Sequence, residues 1–185
     1  MGVVPGASQI ILLVEDSHHE QLIYRYLRRL GKKRHEVRVV KSPSGAGSGE
    51  QWIREHFAIE REYCRRRQAQ TKLIAVIDAD TQTVQQRLGQ LDTALQEAGV
   101  PLIPNDTREI ARLVPKRNIE TWILCLNDVK VNEEEDYKRK LGNWAESVRT
   151  AASRLHQWTR ANAVVAPSCV ESLRMGIREL QRAGL

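Results

Sequence analysis

The feature that most constrains this chain is a pair of short apolar runs that each stop on carboxylates. Ile10-Ile-Leu-Leu-Val14 runs into Glu15-Asp16, and Leu73-Ile-Ala-Val-Ile77 runs into Asp78-Ala79-Asp80. Five apolar residues without alternation read as a strand buried on both faces, the habit of parallel sheets covered by helices. A parallel sheet needs a crossover between neighbouring strands, so the intervening sequence must supply helices.

It does. Leu22, Ile23, Tyr26, Leu27 and Leu30 recur at helical spacing after the first run, and Gly31 closes that helix. Residues Glu36-Val-Arg-Val-Val40 read as a second strand, followed by the loop Ser42 to Gly49. Ser48 with Gln51 resembles a capping box and opens a helix carrying Trp52, Ile53 and Phe57 into the basic stretch Arg61 to Arg67. After the second acidic end, Val84, Leu88, Leu91, Leu95 and Ala98 define an amphipathic helix closed by Gly99. Val100 to Ile103 and Ile110 to Val114 read as two short strands, and Pro115 to Asn118 as a turn with Asn118 capping a helix from Ile119 to Leu126. The acidic stretch Glu133 to Asp136 reads as a solvated loop. Two further helices are marked by Trp144, Val148, Ala152, Leu155 and Trp158, and by Val170, Leu173, Ile177 and Leu180. The order predicts an α/β fold, a Rossmann-like parallel sheet flanked by helices. Residues 9–126 form the core unit, and 127–185 a helical extension packed on it.

In such sheets ligands bind beyond the carboxyl ends of the strands, where both acidic clusters fall. Gathering carboxylates there is electrostatically costly without a counter-ion. Mg²⁺ (or Mn²⁺) resolves that cost, taking a few carboxylates and leaving its other positions to water and phosphate oxygens. In extended backbone Asp78 and Asp80 would share one face, and Glu15 would join them from the neighbouring strand. The competing reading is helix capping, because Asp16, Ser17 and Asp80 all precede helices.

Charge adds a partner class. The chain carries a net +6, and residues 21–70 alone hold 13 Lys/Arg against 5 Asp/Glu. A basic surface attracts phosphate backbones, with Arg61, Arg65, Arg66 and Arg67 as candidate contacts; a plain solvated helix end is the alternative. Gly45-Ala-Gly-Ser-Gly49 lacks the Gly-Lys-Ser/Thr of a nucleotide-binding loop and reads as a flexible connection. His18 and His19 read as surface histidines at a helix start, near enough to Glu15 to approach a metal. No apolar run reaches the ~20 residues of a membrane span, and the first residues do not resemble a signal peptide. Three scattered cysteines, Cys64, Cys125 and Cys169, suit buried thiols in a reducing, cytoplasmic setting.

Val14-Glu15 after an apolar strand, with Asp78-x-Asp80 after a later one, resembles the Toprim domain of primases, topoisomerases, OLD-family nucleases and small standalone nucleases. The resemblance covers about residues 9–126. It implies that Glu15 is a metal ligand or general acid/base and that Asp78 and Asp80 hold Mg²⁺. The family usually has Gly after the glutamate and an acid four positions beyond it; here those positions are Asp16 and His19, with Glu20 one step on. Val114-Pro-Lys-Arg-Asn-Ile-Glu-Thr-Trp122 is similar to a segment of small RloB-like Toprim proteins. By that match Glu120 is a further ligand, and Lys116 or Arg117 steadies charge on the scissile phosphate. First-turn dipole compensation is the other reading of Glu120, and Trp122 reads as core. The implied activity is a Mg²⁺-dependent nuclease acting on DNA or RNA, with roles in phage defence and an ATPase partner known among such proteins.

Two alternatives stand beside it. Ile11-Leu-Leu-Val-Glu-Asp16 before an amphipathic helix also resembles the start of a response-regulator receiver domain. In receivers, however, the phosphoacceptor aspartate follows the acidic pair by about 40 residues, whereas Asp78 comes 62 after Asp16. The other alternative is a nucleic-acid-binding Toprim module that does not cleave. Oligomeric state is not encoded in any pattern identified in the sequence.

Overall fold

A computed structural model of the chain describes residues 9–44, 48–67, 71–104 and 107–185. Four parallel strands, β1 (Ile10–Val14), β2 (Val37–Lys41), β3 (Lys72–Val76) and β4 (Ile110–Leu113), form one sheet in the order β2-β1-β3-β4. β1 and β3 lie side by side at the centre, with Val14 opposite Val76. Because β1 is followed by β2 on one side and β3 lies on the other, the winding direction reverses between β1 and β3. The crevice that an open α/β sheet offers a ligand is therefore at the carboxyl ends of these two strands.

Helices cover both faces. α1 (Ser17–Arg29), α4 (Ile119–Leu126), α5 (Trp144–Trp158) and α6 (Glu171–Arg182) share a core with Ile10, Leu12, Val14, Ile74 and Val76. α2 (Gly49–Arg66) and α3 (Val84–Glu97) pack against Ile11, Leu13, Leu73, Ala75 and Ile77. Both central strands thus alternate strictly between the two cores, which explains why their sequences are apolar at every position. The extension over 127–185 contributes to the first of these cores, since Val148, Leu155, Leu173 and Leu180 are fully buried in it.

The parallel α/β architecture is as the sequence implies, with two departures. Val100 to Ile103 is not a strand; the chain leaves α3 through Gly99 in left-handed conformation and first re-enters the sheet at Ile110. Glu36 belongs to a 3₁₀ turn over Arg34–Glu36, where its carboxylate accepts from the Lys33 amide, so β2 begins one residue later than the apolar pattern suggests. Trp122 is core, with its Nε1 donating to Ser172 Oγ over 2.8 Å. All three cysteines are free and buried. Among the described residues, no helix is long and apolar enough to cross a membrane.

Candidate active site

The alternation that builds the two cores also decides where the acids go. On β1 the sequence Ile11, Leu13 continues to Glu15 on the α2 side. There Glu15 meets the first residue of α2, and a Cβ at Gly49 would stand 2.7 Å from Glu15 Cγ. Only glycine lets helix and carboxylate come this close. On β3 the sequence Ile74, Val76 continues to Asp78 on the α1 side. Asp78 is 3% exposed, and its Oδ1 lies 2.9 Å from His19 Nε2. The two acids therefore reach the strand ends from opposite faces of the sheet.

His19 is the pivot of the α1 side. It is fully buried, with Nδ1 2.9 Å from Asp16 Oδ1 and Nε2 on Asp78. Burial alone would lower its pKa, but the Asp78 charge and the bonds to Asp16 and Asp78 outweigh burial and hold it well above the usual value. Burial also raises the Asp78 carboxyl, the His19 charge opposes that rise, and the nearby Glu120 and Asp16 add to it. A proton held between His19 and Asp78 satisfies both groups. Asp16 serves as the N-cap of α1, accepting from the His18 and His19 amides, and is held well below the usual carboxylate range against the pull of burial. The capping reading of Asp16 and its place beside the site thus coexist.

Glu15 is only half-buried but carries a buried oxygen, Oε2, with no hydrogen-bond partner among the described residues. Burial raises its pKa, His19 counters, and Asp78, Asp80 and Asp16 add to the rise. A cavity of about 290 Å³ opens beside it, lined by Asp16, Ser17, Lys41, Ser42 and Gly49 as well. Glu120 is 1% exposed in the first turn of α4. One of its oxygens meets His18 Nδ1, and the other, Oε2, is buried without a partner among the described residues. Two orphaned carboxylate oxygens are costly in a folded protein.

Asp80 departs from the sequence reading. Asp78 and Asp80 do not share a strand face, because β3 ends at Val76 and Asp80 adopts φ 55°, turning the chain toward α3. The turn is tied by the Gln82 amide to the Ala79 carbonyl and by the Ala79 amide to the Pro115 carbonyl. Asp80 is left at the mouth of the site, its side chain 45% exposed and 4.0 Å from Arg87 Nη2. Arg87 is buried and clamps this turn, donating from Nε to the Asp78 carbonyl over 3.0 Å while pairing with Glu50.

Lysine chemistry at the site also differs from expectation. Lys116 Nζ stands 3.9 Å from Glu134, and Arg117 contributes to the field around Asp136. The ammonium in the field of the acids is that of Lys138, on the loop after α4, although among the described residues it forms no ion pair with them. Burial works against its charge, but Asp78, Asp80, Glu120 and Glu15 together raise its pKa above the usual lysine value.

Arg87 and Lys138 were not singled out from the sequence, and His19, read there as a surface histidine, is instead buried between Asp16 and Asp78. Two of them had a signal: His19 stands on the apolar stripe with Leu22, Ile23 and Tyr26, and Arg87 on that of Val84 and Leu91. A charged residue on a buried stripe must find a buried partner. Lys138 lies in a loop without periodicity and had none.

The predicted nucleic-acid contacts fare unevenly. Arg61 is buried and paired with Glu109 at 2.8 Å, so it is structural and does not face solvent. Arg65 and Arg66 are exposed, but both bond Glu62, whose carboxyl they draw down to about 2. Arg67 donates to Tyr63 and lies over its ring. The glycine-rich loop falls largely outside the described residues.

The donors are hard oxygens, and the orphaned Glu15 and Glu120 atoms fit a divalent cation of the Mg²⁺ kind. As placed, no three His, Cys, Asp or Glu groups among the described residues form a set that could hold a metal. Comparison with protein-family models, with curated proteins and with solved structures returned no match.

Proposed function

We propose that this chain is a divalent-metal-dependent phosphodiesterase of Toprim type that cleaves DNA or RNA. The observation that carries the reading is that Glu15, Asp78, Asp80 and Glu120 lie near enough at the β1/β3 switch point for Asp78 and Asp80 to raise the pKa of Glu15 and Glu120 that of Asp78, with two carboxylate oxygens unpartnered among the described residues. Glu15, Asp78, Asp80 and Glu120 would hold Mg²⁺ or Mn²⁺. Such an ion, when bound, orients an attacking water and offsets charge on the phosphate oxygens.

The chain's own residues supply the rest. Glu15, beside the cavity, moves the proton of the attacking water or of the leaving oxygen. His19 is a positioning residue: its Nε2 bonds Asp78 and its Nδ1 stands 2.9 Å from Asp16. Arg87 fixes the turn that presents Asp78 and Asp80. Lys138 offers a cation to the phosphate once the acids are engaged elsewhere. A receiver role is less well supported, because a phosphoacceptor must meet its donor and Asp78 is buried against His19.

The test is incubation of the purified chain with labelled single- and double-stranded DNA and RNA in Mg²⁺ or Mn²⁺. Cleavage is expected, to be stopped by chelator and abolished by Asp78→Asn. Cleavage that survives Asp78→Asn unchanged would overturn the reading. Salt-sensitive binding without cleavage under either metal would replace it with a non-cleaving binding module.

A further inference from the structure

Of the arginines anticipated to meet nucleic acid, Arg61 is bonded to Glu109 and Arg65 and Arg66 share Glu62, while a second group of arginines has no carboxylate partner among the described residues. A groove of about 620 Å³ runs along the junction of α1 and α5, lined by Tyr24, Arg25, Arg28, Arg29 and Arg149 together with Glu20 and Gln21. Among the described residues, Arg25 and Arg29 engage no carboxylate, and Arg28 donates only to the neutral Lys32 carbonyl. Arg149 is paired with Glu146, and Glu20, the one acid of the groove, is already paired with Lys41 at 2.7 Å. Four arginines against one glutamate leave the lining net positive.

The groove is also connected to the acidic site by a chain of contacts. Gln21 Oε1, at its near end, accepts from Trp144 Nε1 over 2.6 Å. The Trp144 ring lies 3.9 Å from that of His18, and His18 bonds Glu120. His18 to Arg28 spans ten residues of one helix, about 15 Å at 1.5 Å per residue.

We propose that a single-stranded stretch of the nucleic-acid substrate lies along this groove, its phosphates on Arg25, Arg28 and Arg29 and a base against Tyr24. The proposal rests on the phosphodiesterase reading above and names the path by which substrate enters. Unpaired arginines release counterions on binding phosphate, whereas those already bonded to glutamate must first give up a partner. A half-buried tyrosine among arginines offers a stacking platform to an unpaired base.

The experiment is fluorescence anisotropy with a short labelled single strand in chelator, so that binding is read without cleavage. The triple substitution Arg25→Gln, Arg28→Gln, Arg29→Gln is compared with Arg65→Gln, Arg66→Gln, and circular dichroism verifies helix content in both. The triple variant should bind at least about tenfold more weakly at low salt, and its log-log salt slope should fall by about 2, at about 0.7 per lost contact. Tyr24→Ala should weaken binding by about fivefold or more with little change in slope. The Arg65/Arg66 variant should stay within about twofold of the unaltered chain.

An unchanged slope in the triple variant, an equal loss in both sets, or tighter binding to duplex than to single strand would overturn the groove. Failure of the phosphodiesterase reading looks different. Binding through the groove with no cleavage in Mg²⁺ or Mn²⁺ leaves the groove standing and removes the catalysis. Full cleavage with an unaltered slope in the triple variant does the reverse.

Discussion

Glu15 and Asp78 end adjacent strands and belong to one acidic cluster, yet the protein treats them differently. Asp78 is sealed from solvent and bonded to a buried histidine, with its carbonyl held by a buried arginine. Glu15 sits beside an open cavity with one oxygen unpartnered, kept in place by the absence of a side chain at Gly49. One acid is built into the framework of the fold, the other into the site. The contrast teaches that a carboxylate at a sheet edge can serve stability and chemistry at once, and that the two roles come apart by mutation.

The largest effect should come from Asp78→Ala. It strands a buried, charged His19, a change of the kind that costs about 3–5 kcal/mol, and it should abolish cleavage. Denaturant titration and the cleavage assay would both register it; near-native stability would break the contrast. Next is Glu15→Gln, expected to remove activity while leaving stability within about 1 kcal/mol, because relieving like-charge repulsion compensates for lost contacts. Matching destabilisation in both variants would show that the two acids do the same job.

Gly49→Ala should act through Glu15 alone. Its methyl would have to push aside Glu15 Cγ at 2.7 Å, at about 1–3 kcal/mol, and it should lower cleavage by displacing that carboxylate. Unchanged activity would mean that the position of Glu15 is not what matters.

A smaller effect is one of pH. The pKa values of His19 and Asp78 are both raised in the folded state, so the folded protein holds a proton that the unfolded chain has released. Stability from Asp78 is full below about pH 4 and that from His19 below about pH 6.5, each falling as pH rises through its own folded pKa by at most about 1.4 kcal/mol per pH unit. His19→Gln with Asp78→Asn should flatten that limb in a thermal-melt series. An identical alkaline slope in the double variant would mean another group is responsible.

Much of this arrangement was legible in the sequence. The apolar runs Ile10–Val14 and Leu73–Ile77 specify central parallel strands, because only a sheet covered on both faces can bury every side chain of such a run. Their order puts Glu15 and Asp78 at neighbouring carboxyl ends. What the sequence could not reveal depends on backbone geometry just past the strands. Asp80 turns into left-handed conformation, which ends the two-residue alternation that would have aligned it with Asp78. The Val100–Ile103 segment has strand composition but gains no hydrogen-bonded neighbour in the sheet. Lys138 acts in the field of the acids from a loop without periodicity, and Arg61 is taken up by Glu109, a partner 48 residues away.

The central claim is that a divalent ion draws together acids that approach from opposite faces of the sheet. Anomalous diffraction from crystals soaked in Mn²⁺ tests it most directly. The expected result is a metal peak at coordination distance from both Glu15 and Asp78. An empty site after soaking, with Glu15 and Asp78 still unbridged, would contradict it.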